Sequence, residues 1–390
     1  MILKIKNGKV VDGTITEANV YVQDGKILAV TPEELSFDEE FDAAGRYISA
    51  GFVDIHSHGG GSYDFMDGDM ECIVQGAKMH LTHGTTSLYP TTVCASKAGL
   101  KKAVNCIKDA MWFPNVRGAH LEGSYFSVEQ CGAQNTDYIR DIDFEEAEDL
   151  IATGVVKRWD FAPERAHSPE FTDLLVKNGV VPAIAHSNAI LEDVEKVFEK
   201  GCKLVTHLYS ATSTITRVLG YRRLGVVEST FLLDDMNAEI IADGSHLPPR
   251  LIEMILKIKG VEKICLVTDS MRAAGMPDGE YIIGSKDEGL PCIKEQGVAK
   301  LLDRSAFAGS VATTDILVRT IYKKVGYPLV DAIRMMTENP ARIMGLTQKG
   351  HVQEGFDADL VIFDDDITVG DVMIEGSWMV SGGKYVGPAV

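Results

Sequence analysis

Short apolar runs broken by polar turns fill the first 50 residues. Met1-Ile2-Leu3-Lys4-Ile5-Lys6 alternates with the period of a strand, and Asn7-Gly8, Asp12-Gly13 and Asp24-Gly25 are turn dipeptides between Val- and Ile-rich runs. The stretch from about 350 to 390 has the same texture, in Asp359-Leu360-Val361-Ile362-Phe363, Val372-Met373-Ile374 and Trp378-Met379-Val380. Residues 1–50 plus 350–390 therefore predict one small β-sandwich domain built from both chain ends, with residues 51–349 as the unit between.

That middle unit has a different rhythm. Strand-like apolar runs end near His58, Pro90, Glu122, Glu164, His186, His207, Asp243 and Asp269. Segments with helical spacing lie between them: Ala103-Val104, Ile107, Ala110-Met111; Ile190-Leu191, Val194, Val197-Phe198, closed by Gly201; and Leu251-Ile252, Ile255-Leu256 after Pro248-Pro249. Eight strands alternating with helices predict an α/β fold, a (β/α)8 TIM-type barrel. After the eighth run, residues 278–303 read as hairpins, and helices follow over 312–325 and 329–345, interrupted at Asn339-Pro340.

Polar residues sit at the C-terminal ends of these runs, the end that carries the active site in such barrels. The sharpest case is Gly51-Phe52-Val53-Asp54-Ile55-His56-Ser57-His58-Gly59-Gly60. Side chains at i and i+2 of a strand project to the same side, so His56 and His58 can aim two imidazoles at one point. Collecting the other strand ends adds Glu122, His186, His207 and Asp269. Four imidazoles and two carboxylates suit zinc, or iron or another borderline first-row divalent ion. Six ligands exceed the need of one tetrahedral ion and leave room for two, with Glu122 best placed to bridge. The C-terminal end of strand four offers Phe161-Ala162-Pro163-Glu164 and no lysine, which argues against a carbamylated-lysine bridge there. Such a centre is the apparatus for hydrolysing an amide or ester, with Asp269 as general base.

Composition narrows the partners. The chain has 390 residues, 45% hydrophobic and 24% charged, and 38 basic against 57 acidic residues give a net charge of −19. That field argues against nucleic acid or an anionic membrane as partner. The seven cysteines are scattered and include no C-x-x-C, which predicts free thiols in a reducing cytosol rather than a disulfide framework. The amino-terminal stretch lacks a signal-peptide core, and no apolar run approaches the ~18 residues of a membrane span. A cytoplasmic protein is expected.

Seven pieces then carry a family resemblance, in order along nearly the whole chain. They are Gly51–Gly59, His120-Leu121-Glu122-Gly123, Ala185-His186-Ser187, Thr206-His207-Leu208-Tyr209, Ala242-Asp243-Gly244-Ser245-His246, Leu266-Val267-Thr268-Asp269 and Phe307-Ala308-Gly309-Ser310. Gly355-Phe356-Asp357-Ala358-Asp359-Leu360-Val361 adds the return to the β domain. The chain resembles the amidohydrolase superfamily, most closely its N-acetylglucosamine-6-phosphate deacetylases of the two-metal branch. The resemblance implies a metal-dependent hydrolase of amino-sugar catabolism that removes acetate from an N-acetylhexosamine 6-phosphate. It implies Glu122, His186 and His207 as the ligands all members keep, His56 and His58 as the extra pair, and Asp269 as the catalytic aspartate. Gln134, His246, Ser210, Ala211 and the segment Phe307, Ala308, Gly309 fall at substrate-contact positions. Arg222, with Arg223 or Arg217 as alternatives, falls at the phosphate position. In the family that arginine and the histidine matching His246 reach a neighbouring subunit's substrate, which implies a homodimer.

Three departures bear on the substrate rather than the metal chemistry. Ser124 stands where the family usually has proline, Ser210 where it has asparagine, and the loop from His207 to Arg222 is a few residues longer. N-acetylgalactosamine 6-phosphate or another N-acyl substrate is the alternative they leave open.

Overall fold

The computed structural model describes residues 1–389. Both chain ends join one nine-stranded sheet, in which strand Tyr47–Ala50 is the seam. It pairs in parallel with the amino-terminal strand, Lys9 opposite Tyr47, and antiparallel with Leu360–Phe363, Leu360 opposite Ala50. Alternation gives the sheet two apolar faces. Ile5, Val20, Ile48, Leu360 and Ile362 pack together on one side. Val11, Val361 and Phe363 join the barrel core, with Phe52 and Leu81, on the other.

One expected turn is not a turn. Strand Ile2–Asp12 runs straight through Asn7-Gly8, with a register shift against its neighbour between Ile5 and Gly8. Asn7 takes φ 55°, the bulge takes up the extra residue, and a Cβ on Gly8 would collide with Ile48. Asp24-Gly25 does turn, with both residues at positive φ, 49° and 79°.

Eight short strands form the barrel: Phe52–Ser57, Thr85–Pro90, Ala119–Glu122, Val156–Phe161, Val181–Ile184, Leu204–Val205, Asn237–Ile240 and Ile264–Leu266. The third to eighth make a continuous parallel sheet, and the first two pair in parallel. Bridges Leu88–Val116 and Thr91–His120 join strand two to three, and Ser57–Ser270 closes strand eight onto one. Helices capped as the sequence demands return the chain between strands. Ser96 Oγ, for instance, accepts from Gly99 N at 3.0 Å to start helix Lys97–Asp109, and Asp143 starts Phe144–Ile151.

Residues 278–303 form the expected hairpins, strands Gly279–Ile283, Leu290–Glu295 and Val298–Leu301. The helix expected over 312–325 is Thr314–Arg319 continued in wider, π-type turns to Val325. The next region breaks at Thr337, φ −127° and ψ −78°, into Leu329–Met336 and Glu338–Ile343. Pro340 then lies in the first turn of the new helix, where its missing N–H costs nothing. Among the described residues no helix is long and apolar enough to cross a membrane.

Candidate metal centre and active site

The eight strands deliver their C-terminal residues to one end of the barrel, and the predicted ligands meet there. His56, His58 and Glu122 form one buried cluster of donor atoms within 4.8 Å of one another, and Glu122, His186 and His207 form a second. Glu122 belongs to both. Its Oε2 lies 3.3 Å from His58 Nε2, and its Oε1 lies 3.2 Å from His186 Nε2 and 2.9 Å from His207 Nε2. Asp269 completes the ring, its Oδ1 3.1 Å from His58 Nε2 and 3.6 Å from His56 Nε2.

The backbone carries strain at this point. His186, His207 and Asp269 have φ of 45°, 30° and 47°, and Tyr209 and Ala211 follow at 76° and 47°. Such angles are uncommon outside glycine and gather where structure serves a site. Asp269 is pinned from several sides: its N–H donates to His56 O at 2.9 Å, and its carbonyl accepts from Ser310 N at 2.6 Å. Thr268 beside it donates its hydroxyl to buried Asp54 at 2.6 Å, locking strand eight to strand one. Burial pushes the Asp54 carboxyl up to about 7, against the opposing pull of that hydroxyl. Gly309 must be glycine, since φ is 60° and a Cβ would lie 2.9 Å from Asp269 O.

The tautomers test whether a cation fits. His58 Nδ1 faces Thr91 O at 3.3 Å, His186 Nδ1 faces Gln130 O at 2.7 Å, and His56 Nδ1 faces Glu239 Oε2 at 3.3 Å. Each partner can only accept, so the proton sits on Nδ1 and the Nε2 lone pair points inward. His56 Nε2 and His58 Nε2 then face each other at 3.3 Å across two carboxylates. Acceptors converging on acceptors require positive charge. The pKa shifts express the same demand: burial pushes His207 down, but the hydrogen bond and charge of Glu122 raise it to about 9. Burial likewise opposes ionisation of Glu122, yet the histidines hold it well below the carboxylate range. A divalent cation bound by these lone pairs answers that demand.

A layer beneath the centre was not read from the sequence. Arg158 and Asp160 project inward from the middle of strand four, and Glu239 from strand seven; all three are fully buried. Arg158 pairs with Glu239 and grips Asp160 through two bonds of 2.9 and 3.0 Å. Thr206 Oγ donates to Asp160 at 2.7 Å, and His120 Nε2 lies 2.9 Å from the same carboxylate. The only signal was three charges inside apolar runs, with His120 in the quoted His-Leu-Glu piece.

Above the two candidate ligand clusters opens a cavity of about 320 Å³, within the ~300–1,000 Å³ range of small-molecule sites. Gln134, Ser210, Ala211, His246, Phe307 and Gly309 line it, joined by Tyr209, Gly132, Ala133 and Ile283, which sequence reasoning did not single out. Gln134 donates to Glu122 Oε2 at 2.6 Å and accepts from Cys94 N at 2.7 Å. His246 stands in its own chain's cavity, tied to Asp243 at 2.8 Å, its ring centroid 4.4 Å from that of Phe307. Ala308 is buried and does not line the cavity. Nor does Arg222. The loop after His207 forms an exposed hairpin, Thr216–Val218 and Tyr221–Arg223, with Arg217 opposite Arg222, and Arg217, Arg222 and Arg223 project into solvent. Glu164 at the end of strand four accepts from Ser187 Oγ at 2.7 Å and from Asn188 N at 2.6 Å, steadying the turn after His186.

The sequence profile of the amidohydrolase family matches residues 47–379. The chain belongs to the amidohydrolase family. Amidohydrolases are metal-dependent, and this one presents two candidate ligand groups in the expected place. Among relatives, it is 32% identical to an N-acetylglucosamine-6-phosphate deacetylase of Lysinibacillus sphaericus, over 94% of each chain. It is 29% identical to the human protein of that name, over 93% of this chain and 92% of that one. Among solved structures it superposes, with a TM-score of 0.89 and 29% identity over 98% of this chain and 99% of the other, on an aspartate-to-alanine mutant of the Mycobacterium smegmatis deacetylase in complex with N-acetyl-D-glucosamine-6-phosphate. The corresponding enzyme of Pasteurella multocida gives a TM-score of 0.91 at 27% identity, over 98% of this amidohydrolase and all (100%) of that chain.

Proposed function

We propose that this chain hydrolyses N-acetylglucosamine 6-phosphate to glucosamine 6-phosphate and acetate. The observation that carries the reading is Glu122 shared by two histidine clusters, with Asp269 beside His56 and His58 at the floor of the cavity. The similar proteins, all matched over most of their length, favour the gluco substrate. We read the centre as binuclear, holding two divalent cations, zinc or iron by its imidazole and carboxylate donors. His56, His58 and Glu122 would hold one, and Glu122, His186 and His207 would hold the other.

Bound there, such cations would supply an acidified water and polarisation of the acetamide carbonyl. The chain's own residues do the rest. Burial pushes the Asp269 carboxyl up, but His56 and His58 more than offset it and lower it to about 2, so it is ionised. It takes the proton of the attacking water and returns it to the nitrogen as the carbon–nitrogen bond breaks. Gln134, Ser210, Ala211, His246 and Phe307 surround the sugar. Arg222, exposed on its hairpin, serves the phosphate in the cavity of a second copy, within a homodimer. The seven free cysteines support a reducing, cytoplasmic setting. Residues 1–50 with 350–390 serve as the β domain on which the barrel of residues 51–349 is mounted.

Acetate release tests the reading. Metal-replete protein should turn over N-acetylglucosamine 6-phosphate well ahead of the unphosphorylated sugar, and equal rates on both would refute a phosphate requirement. The galacto epimer belongs in the same assay, because Ser210 lines the cavity where the family has asparagine. Arg222→Ala should raise KM for the phosphosugar about 10–100-fold, the worth of a charge-assisted hydrogen bond, and leave KM for the neutral sugar unchanged. Replacing His56 and His58 together with asparagine should lose one metal equivalent, by elemental analysis, while the far-ultraviolet circular dichroism stays that of a folded barrel.

A further inference from the structure

Of the four inward-facing imidazoles, His56 alone has a carboxylate behind it. His58 and His186 donate Nδ1–H to backbone carbonyls, and His207 Nδ1 has no partner among the described residues. Glu239 is fully buried, with one oxygen on His56 and the other on Arg158. Arg158 cannot swing away. Asp160 holds it through two bonds, Thr206 Oγ lies 2.7 Å from it, and its Nη1 also reaches Ile55 O at 3.3 Å.

We propose that Glu239 is the positioning residue that lets the His56/His58 half of the centre hold a cation, by fixing the proton of His56 on Nδ1. The role rests on the two-cation reading above. Its logic follows from donor and acceptor counts. A guanidinium can only donate, so whichever atom of residue 239 faces Arg158 must accept. Glutamate offers acceptors on both sides and keeps the His56 proton on Nδ1. Glutamine, nearly the same in shape, must turn its oxygen to Arg158 and present its NH2 to His56. The imidazole then accepts at Nδ1 and carries its proton on Nε2, where the cation should be. Glu239 also leaves the Arg158–Asp160–Glu239 group with one net negative charge directly under that half of the centre, which favours a cation there.

The experiment is metal binding by Glu239→Gln, read without any assay of turnover. Metal-free protein is titrated with zinc, and bound equivalents are counted by elemental analysis and calorimetry. Wild type should take up two equivalents. Glu239→Gln should keep one at wild-type affinity and bind the second about 10–100-fold more weakly, the usual effect of losing an outer partner, approaching the His56/His58 double variant. If the metal-free variant proves less stable, the rise in its melting temperature with zinc reads occupancy independently of the starting point. Two tight equivalents in Glu239→Gln would overturn the assignment, as would parallel loss of both, which marks a merely structural role. A single equivalent in wild type would remove the two-cation reading itself and this role with it.

Discussion

Asp269→Asn is expected to lower kcat about 10²–10⁴-fold, the span of a lost general base, with metal content unchanged. Each candidate cluster has Glu122 and two histidines besides Asp269, and asparagine keeps a side-chain oxygen that can still face a cation. The substitution is nearly isosteric, and the main chain at 269 is held by His56 O and Ser310 N whatever the side chain. What asparagine lacks is the capacity to accept a proton and give it back. The carboxyl supplies that from a site where His56 and His58, against the cost of burial, keep it ionised. KM should move far less than kcat, because the group acts on the proton in flight rather than on the bound sugar. Acetate release at saturating substrate, with elemental analysis of the same preparation, checks both halves. Near-normal turnover would remove Asp269 from the role of base.

The rim of the barrel was legible in the sequence and its interior was not, for a physical reason. Candidate ligands at strand ends stand out because polar residues terminate apolar runs, and His56 and His58 suggest a shared target by their spacing alone. Arg158, Asp160 and Glu239 sit in mid-strand, where a charge inside an apolar run looks like the solvent side of an alternating strand. Only closure of the barrel turns them inward and opposite one another. The β ends were equally plain from alternation, but Asn7-Gly8 reads as a turn locally. Pairing with the neighbouring strand makes it a bulge, a fact of register that no local pattern holds. The hairpin after His207 was not legible, since Thr216–Arg223 has little apolar alternation and lies exposed. Arg222 marks the furthest reach of sequence reasoning. The resemblance assigned it to the phosphate, and the structure leaves it in solvent, outside the cavity of its own chain.

The largest effect on stability is expected from Arg158→Leu, a loss of about 3–5 kcal/mol from breaking a buried ion group and stranding its partners. Two carboxylates depend on that guanidinium. Burial pushes Asp160 up, yet Arg158 and then His120 hold it well below the usual carboxylate range, and Glu239 is lowered against burial by Arg158 and His56. A carboxylate depressed in the fold contributes stability above its unfolded pKa of ~4 and loses it as pH falls. The gap between wild type and Arg158→Leu, measured as denaturation midpoints of the metal-free proteins, should therefore be widest near neutrality and narrow in acid, where the stranded carboxyls can protonate. A gap independent of pH would mean that the loss is one of packing, not of charge. Removing the whole group in Arg158→Met/Asp160→Leu/Glu239→Leu should recover much of the stability at pH 7, because no buried charge is then left unpaired. The triple variant should still bind the second cation more weakly than wild type, since nothing in it fixes the His56 proton. Stability and metal binding would then part company within one buried group, and a triple variant that bound two equivalents as tightly as wild type would show the charges to be scaffolding alone.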